Sequence, residues 1–290
     1  MPNRPHGFKR LVLALQPAAP DRGLQVATEL ADLLQVELLG LCLEDSGLRD
    51  LARLPFAREF RGLTIGWQPI EQERLSRDLE LAARGLERMF DAAVKELPTT
   101  ARFEVLRGRL TESIAAISRS GDILVLMEPV SPAERATSQF TWLSEAAFRS
   151  AAAVLLVPQR IVRSRGPIVA IAAMPDDPSI HAGAALAIAA KEELVIIDAN
   201  HHQVSIDATR LSGGETGLKV ERLTAAKTAF PDPAACTQAF RYLQERLVVM
   251  TRGAFDESVA LIIASARQVP VLVIEPPKRE DIPATENAAA

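Results

Sequence analysis

The chain has 290 residues, and its 33 Lys and Arg against 37 Asp and Glu give a formal net charge of -4. That length allows two domains, and the lack of a basic field argues against the phosphate backbone of a nucleic acid as a partner. Aromatic residues make up only 4% of the chain, which is too little for the stacking platforms that single-stranded nucleic acids require. We therefore expect no nucleic-acid partner.

The cysteine content and the hydropathy pattern indicate a cytoplasmic protein. The two cysteines, Cys42 and Cys236, exclude a disulfide framework and have no second cysteine or histidine at ligand spacing. The apolar run at residues 11 to 15 is too short for a signal peptide. No segment approaches the roughly 18 apolar residues of a membrane span, so we expect no membrane partner.

Short apolar runs alternate with amphipathic helical segments through the first half, which is typical of a parallel sheet with helical crossovers. The predicted strands cover residues 11 to 15, 36 to 43, 103 to 106, 123 to 127 and 154 to 157. The predicted helices cover residues 21 to 35, 48 to 54, 71 to 97, 111 to 118 and about 144 to 152. Residues 46 to 70 are rich in glycine and proline, so we predict an irregular excursion that covers a crevice or a partner.

The second half repeats the first. At a shift of 158 positions, Pro17 and Pro20 fall on Pro175 and Pro178, and the apolar patterns agree. The shift then falls to 123, so the second copy lacks 35 residues, where the first copy holds the excursion and its longest helix. We predict one domain at residues 8 to 159, a shortened second domain at 166 to 277, and a disordered tail at 278 to 290.

Five segments carry a resemblance to a known family. They are residues 103 to 108 (FEVLRG), 121 to 127 (GDILVLM), 153 to 157 (AVLLV), 246 to 250 (RLVVM) and 269 to 274 (VPVLVI). In this order they resemble the universal stress protein family, over about residues 10 to 158 and 167 to 276. The resemblance implies two tandem Rossmann-like (adenine nucleotide alpha hydrolase-like) α/β domains. Each would have a five-stranded, mostly parallel sheet with flanking helices and a strand order of 3-2-1-4-5.

The resemblance also concerns assembly and nucleotide binding. Members commonly dimerise through the closing strand, which implies a pseudo-dimer of the two domains within one chain, and a homodimer is a further expectation. Members that bind ATP have an acidic residue at the end of the first strand and a Gly-x2-Gly-x9-Gly-Ser/Thr segment after the fourth.

Both copies depart from this nucleotide-binding pattern. Gln16 and Met174 stand where the acid is expected, Glu128 and Pro129 follow the fourth strand of the first copy, and the second copy keeps only Gly253. Glycines let backbone N–H groups approach phosphates, whereas proline removes a donor and Glu128 would repel a polyphosphate. We therefore predict a degenerate site and no cofactor, with ATP as the alternative.

Candidate ligand-binding residues follow from the rule that open α/β sheets bind ligands beyond the carboxyl ends of their strands. These residues are Gln16, Glu44, Gly108 and Glu128 in the first copy, and Met174, Asp198, Thr251, Arg252 and Gly253 in the second. The alternative is that they are ordinary residues at the ends of strands. Arg252, between a threonine and a glycine, is the best candidate for binding a phosphate or carboxylate.

Other polar clusters have simpler interpretations. His201 and His202 suggest a solvated loop rather than a metal site. Asp177 is expected to cap a helix that has Pro178 in its first turn. Cys236 lies near a helix N-terminus, a position that favours a lowered thiol pKa. No Ser/His/Asp or Cys/His arrangement can be assembled, so we predict neither a metal nor a catalytic site.

Three functional hypotheses remain open. The first is a non-catalytic universal stress-type protein that acts through an unknown protein partner or an unidentified small ligand. The second is a nucleotide-binding sensor or weak ATPase with a site near Arg252 and Gly253. The third is an interaction scaffold that has no ligand.

Overall fold

A computed structural model describes residues 7 to 15, 20 to 61, 66 to 108, 110 to 128, 138 to 199, 218 to 225 and 227 to 276. The chain divides into two compact units. The first unit spans Gly7–Gln159, and the second begins at Arg160.

The first unit is a five-stranded parallel sheet with flanking helices and a separate hairpin. Its strands are β1 (Arg10–Leu15), β2 (Glu37–Asp45), β3 (Arg58–Arg61), β4 (Gly66–Pro69), β5 (Ala101–Gly108), β6 (Asp122–Met127) and β7 (Ala153–Val157). Its helices are α1 (Pro20–Leu34), α2 (Ser46–Ala52), α3 (Gln72–Val94), α4 (Leu110–Ile117) and α5 (Ser138–Arg149). The strand order of the sheet is β5-β2-β1-β6-β7, with β1 in the middle, while β3 and β4 form an antiparallel pair.

The second unit repeats this sheet, and its described residues contain no hairpin. Its strands are β8 (Ile168–Ala172), β9 (Leu194–Asp198), β10 (Val220–Thr224), β11 (Leu247–Thr251) and β12 (Val271–Ile274). Its helices are α6 (Pro178–Ala190), α7 (Pro233–Ala239) and α8 (Glu257–Arg267), with a short 3₁₀ turn at Lys227–Ala229. The parallel order β10-β9-β8-β11-β12 corresponds to that of the first unit.

The predicted α/β class and the 3-2-1-4-5 strand order are confirmed in both units. The helix predicted at about 144 to 152 is Ser138–Arg149 in the structure, and the helical spacing of Phe140, Leu143 and Ala147 was the missed signal for its earlier start. The excursion contains a short helix, α2, where one was predicted at residues 48 to 54, and also the β3–β4 hairpin, which was not predicted. The two hairpin strands have only four residues each, and none of their described side chains is buried. No alternation of buried and exposed positions therefore predicts them from the sequence. The predicted tail and His201 and His202 lie outside the described residues.

In both units, an ion pair with a buried carboxylate lies at the amino ends of the strands. In the first unit, Arg10 donates to Asp122 with 2.6 Å between Nη2 and Oδ2, and this hydrogen bond raises the pKa of Arg10. In the second, the fully buried Glu245 accepts from Arg267 Nε at 2.7 Å and lies 3.8 Å from Arg163 Nη1. Removing one partner of such a pair leaves a buried, uncompensated charge. These pairs therefore have a structural role.

None of the helices in the described ranges combines the length and the apolar character that crossing a bilayer requires.

Direct contact between α3 and the sheet depends on a glycine in β2. A Cβ built on Gly40 would lie 2.5 Å from Cδ2 of Phe90 in α3. Phe90 is almost fully buried, and its ring centroid lies 5.9 Å from that of Phe103 in β5. In a closely packed contact of this kind, an added methyl group has no empty space to occupy and therefore strains its neighbours.

Replacing Gly40 with Ala should destabilise the first unit by about 1–3 kcal/mol, since Phe90 or the α3 backbone must move. Both tryptophans, Trp67 and Trp142, lie in this unit, so the urea midpoint of tryptophan fluorescence reports on it. Gly85→Ala is the matched control, because nothing lies within 4 Å of its built Cβ, and it should stabilise α3 by up to about 1 kcal/mol. An unchanged midpoint for Gly40→Ala would contradict this account of the packing.

Candidate functional site

The second unit has a fully described switch point, the place where neighbouring strands lead to helices on opposite faces of the sheet. It lies between β8 and β11, whose carboxyl ends point to the same edge. Ligands of open α/β sheets bind in the crevice at this position. The residues that follow the two strands therefore decide what the site can hold.

Asp177 fills this position with a fully buried carboxylate. Its Oδ1 accepts from the N–H of Ser179 at 3.0 Å and from Thr251 Oγ1 at 2.5 Å, and its Oδ2 accepts from the N–H of Ala173 at 2.9 Å. The side chain thus joins the residue after β8, the first turn of α6 and the end of β11. The predicted helix cap is confirmed, with Pro178 in the first turn.

The hydroxyl groups at this site are also satisfied within the protein. Thr251 is buried and donates to Asp177, while Ser179 Oγ donates to the carbonyl of Ile171 at 3.0 Å. Ligand binding by the Thr251 hydroxyl, as the sequence suggested, would require breaking its bond to a buried carboxylate. A buried acceptor that loses a partner costs about 1–3 kcal/mol.

Arg252 follows directly and already holds an anion, the carboxylate of Glu275 beyond β12. The guanidinium is largely buried, and this burial lowers the pKa of Arg252. Gly253 next to it has a φ of +76°, and a Cβ built there would meet no atom within 4 Å. The structure thus brings together Arg252 and Gly253, the two residues predicted to bind an anion. The anion that Arg252 binds is the protein's own Glu275 carboxylate.

The link from β11 to α8 is short. It consists of residues 252 to 256 and ends at Asp256, whose carboxylate accepts from the Ser258 N–H at 2.9 Å and caps α8. The bonds to Ser258 also lower the pKa of Asp256. The chain therefore turns directly from the strand into the helix.

The remaining candidates of the second unit lie at other strand ends. Met174 follows β8 and is half-exposed. Asp198 ends β9 and is buried, with its Oδ2 3.9 Å from Nη2 of Arg222 in β10. Met174 is accessible to a ligand, whereas the Asp198 carboxylate lies beside a cation of its own sheet.

In the first unit, Glu44 forms a second polar cluster at the carboxyl end of β2. Its buried Oε2 accepts from Arg49 Nη2 at 2.9 Å and from Arg107 Nε at 3.0 Å. Arg49 Nη1 also lies 3.3 Å from Ser76 Oγ in α3. Glu44 Oε1 and Arg49 Nε are buried and have no hydrogen-bond partner among the residues that the structure describes.

The other candidates of the first unit contribute less. Gly108 ends β5 next to Arg107, and a Cβ there would meet Ser113 Oγ at 3.0 Å. The N–H of Glu128 donates to the carbonyl of Val157 at 2.8 Å. Gln16 and Pro129 lie outside the described residues.

Both cysteines are buried and free. Burial raises the pKa of Cys236 to about 11 and also raises the pKa of Cys42, to which the charge of Glu44 adds. The expectation of a lowered pKa at Cys236 is therefore wrong, because loss of solvation outweighs the helix terminus and the nearby Arg267. Within the described ranges, no three His, Cys, Asp or Glu residues form a group that could hold a metal ion.

Sequence reasoning missed three groups at these sites. Asp177 was identified as a cap but not as the link between β8 and β11. Glu275 and Arg49 were not singled out, although both are charged residues placed directly after a strand or in the helix that follows one. Their position after a strand was the signal that sequence reasoning could have used. The pairing of Glu275 with Arg252 and of Arg49 with Glu44 depends on distances that a sequence does not contain.

Neither a protein-family model nor a curated protein matches the sequence. A universal stress protein from Archaeoglobus fulgidus DSM 4304 is similar in structure, with a TM-score of 0.60 and 15% identity over 93% of this chain and 98% of that chain. A functionally unknown protein from Pseudomonas aeruginosa PAO1 has a TM-score of 0.53 and 15% identity over 94% of each chain. The chain therefore has the fold of the universal stress proteins, as the resemblance implied.

Replacing Asp177 with Ala should lower the stability of the second unit by about 3 kcal/mol or more. The change removes a helix cap and leaves two N–H groups and a hydroxyl without their buried acceptor. Asp176→Ala is the matched control, since Asp176 is the exposed neighbour, and it should leave stability almost unchanged. Circular dichroism during thermal unfolding measures both variants, and equal melting temperatures would contradict the structural role of Asp177.

The thiols should be inert in the folded protein. With a pKa of about 11, only about one Cys236 in a thousand is ionised at pH 8, and the thiolate is the reactive form. We expect Ellman's reagent to detect no fast-reacting thiol in native protein at pH 8, and two thiols per chain in urea. Rapid reaction of one native thiol would show that its site is open.

Proposed function

We propose that the chain is a universal stress-type protein without catalytic activity that acts in stress response or regulation in the cytoplasm. It would act through contacts with another protein or through a small ligand other than ATP. The observation that carries this proposal is the occupation of the second switch point by the protein's own Asp177 network.

A polyphosphate would meet unfavourable groups at that point. The Asp177 carboxylate would repel it, and the N–H groups of Ala173 and Ser179, which could otherwise serve as donors, are bonded to this carboxylate. Residues 252 to 256 are also too few for a Gly-x2-Gly-x9-Gly segment, and they contain a single glycine. These features support a second unit that no longer binds ATP.

The absence of catalysis is part of the same proposal. His181 is the one histidine in the described part of the chain, and it is exposed. Both thiols are buried, with raised pKa values. A nucleophile activated by a neighbouring base is the usual requirement for covalent catalysis. The hydroxyl–carboxylate pairs at the second switch point, Thr251 with Asp177 and Ser258 with Asp256, are a buried bond between strand ends and a helix cap.

The cluster around Glu44 is the place that we favour for a small ligand in the first unit. Two arginines against one carboxylate leave a positive balance, which suits an anion. Glu44 Oε1, which has no partner in the described part of the chain, could accept a hydrogen bond from a hydroxyl group of the same molecule. The chemistry therefore suits a small hydroxylated anion rather than a triphosphate.

A nucleotide sensor with its site in the second unit is the alternative. The observation that favours it is the position of Arg252 beside a glycine turn at the end of β11. In that case the Glu275 carboxylate would remain bound to Arg252 until a phosphate group displaces the carboxylate. A competing internal carboxylate of this kind would make the affinity for nucleotide low.

The melting temperature with and without millimolar Mg-ATP tests the proposal. Binding at a hundredfold excess over Kd stabilises the folded state by about 2.7 kcal/mol, which would raise Tm by roughly 5–10 °C. We expect no upward shift.

Two variants separate the hypotheses further. If Arg252 is a phosphate site, Glu275→Gln should increase the Tm shift caused by Mg-ATP, and Arg252→Ala should abolish it. If the proposal holds, wild type and both variants should show no shift. A clear shift in the wild type that Arg252→Ala removes would establish the sensor instead.

A further inference from the structure

The cluster around Glu44 has unused hydrogen-bonding capacity inside the protein. Oε1 of Glu44 and Nε of Arg49 are both buried, and neither has a hydrogen-bond partner within the described ranges. The carboxylate oxygen is an acceptor, and the guanidinium nitrogen is a donor. Buried polar groups are nearly always paired, so an exception points to strain, a functional role or a bound species. Two complementary exceptions in neighbouring side chains indicate a binding site.

Four elements of the first unit build this cluster. Glu44 in β2 lies directly opposite Arg107 in the parallel register with β5. Helix α2 begins two residues after Glu44 and brings Arg49 back to it, and Arg49 Nη1 lies 3.3 Å from Oγ of Ser76 in α3. The cluster therefore lies at the carboxyl ends of β2 and β5. It is separate from the switch point of this unit, which falls between β1 and β6.

The cluster opens to solvent at Arg107. The side chain of Glu44 is only 4% exposed, whereas that of Arg107 is 61% exposed. Arg107 contacts Glu44 through Nε, and its two Nη groups make no hydrogen bond to the part of the chain that the structure describes. A solute that approaches from this side meets guanidinium donors that are available to an anion.

The charge of the cluster selects the charge of its ligand. Glu44 carries one negative charge, and Arg49 and Arg107 carry one positive charge each, which leaves a surplus of one positive charge. A single carboxylate neutralises this surplus. A phosphate monoester carries about -1.5 to -2 charges at pH 7, so it would leave excess negative charge beside a buried carboxylate. The cluster therefore favours a monoanion.

The free oxygen of Glu44 adds a second requirement, a hydrogen-bond donor on the same ligand. An ionised carboxylate offers no donor, whereas a hydroxyl group does. An ammonium group would also donate, but an amino acid has no net charge and would leave the positive surplus in place. Oε1 shares a carbon with Oε2, Nε of Arg49 shares one with Nη2, and Oε2 and Nη2 are 2.9 Å apart. A molecule of a few carbon atoms can therefore reach both free atoms.

We propose that the first unit binds a short hydroxycarboxylate at the Glu44 cluster. The carboxylate of the ligand accepts from Arg49 Nε and from the Nη groups of Arg107, and its hydroxyl group donates to Glu44 Oε1. This inference rests on the proposed function, in which the chain acts through a small ligand other than ATP, and it names the chemical class of that ligand.

Isothermal titration calorimetry of the full chain tests the proposal with glycolate, lactate and glycerate as probes. Acetate lacks the hydroxyl group, and inorganic phosphate carries more charge. At least one of the three hydroxycarboxylates should bind about 10-fold more tightly than acetate, because acetate leaves the buried Oε1 of Glu44 without a donor. It should also bind more tightly than phosphate.

Two variants examine the arginine and the carboxylate separately. Arg107→Gln removes the Nη donors and should weaken hydroxycarboxylate binding by about 10-fold or more. Arg102→Gln is the matched control, because Arg102 is 65% exposed in the same strand and also pairs with one carboxylate, that of Glu37, at the opposite end. It should leave the affinity unchanged. Glu44→Gln raises the net charge of the cluster to +2, so the preference should move toward phosphate, which a purely structural role of Glu44 does not predict.

Three results would overturn the inference. The first is the absence of binding by all three hydroxycarboxylates at millimolar concentration, in calorimetry and in thermal unfolding. The second is equal affinity for acetate and the hydroxycarboxylates, and the third is equal weakening by Arg102→Gln and Arg107→Gln. None of these results affects the proposed function, which instead fails if Mg-ATP raises the melting temperature and Arg252→Ala removes that shift.

Discussion

Burial of the central strands on both faces is the constraint from which the rest of each unit follows. β1, β6, β8 and β11 consist almost entirely of aliphatic residues with little or no exposure. A polar group within these strands would lose its hydration without a guaranteed partner. Polar side chains are therefore confined to the ends of the strands, and they have different roles at the amino and the carboxyl ends.

At the amino ends, buried ion pairs such as Arg267 with Glu245 hold helix and sheet together. At the carboxyl ends, where this fold class usually binds ligands, the second unit forms hydrogen bonds within itself around Asp177. In the first unit, Glu44 Oε2 accepts from two arginines, while Oε1 has no hydrogen-bond partner among the residues that the structure describes. The polar groups at these strand ends are a property of each unit rather than of the fold, which agrees with the general separation of fold from function.

Much of the fold was predictable because aliphatic runs such as residues 154 to 157 and the spacing of α3 report burial directly. The hairpin was not, since Phe60 and Trp67 are exposed and leave no alternating pattern. The candidate site was predictable only as a set of strand ends. Thr251 bonds to Asp177 and Arg252 pairs with Glu275, so neither side chain is free to face a ligand. These contacts form because turns of the chain bring the partners together, and the spacing of residues in the sequence does not reveal them.

The 35 residues by which the two copies differ in length fall between the second and fourth strands of the repeat. The order of the strands is nevertheless the same in both units, so this connection can change in length without changing which strands pair. The entropy cost of closing a longer loop rises only slowly with its length. This part of the fold is thus where one copy can gain or lose surface at little cost to its sheet.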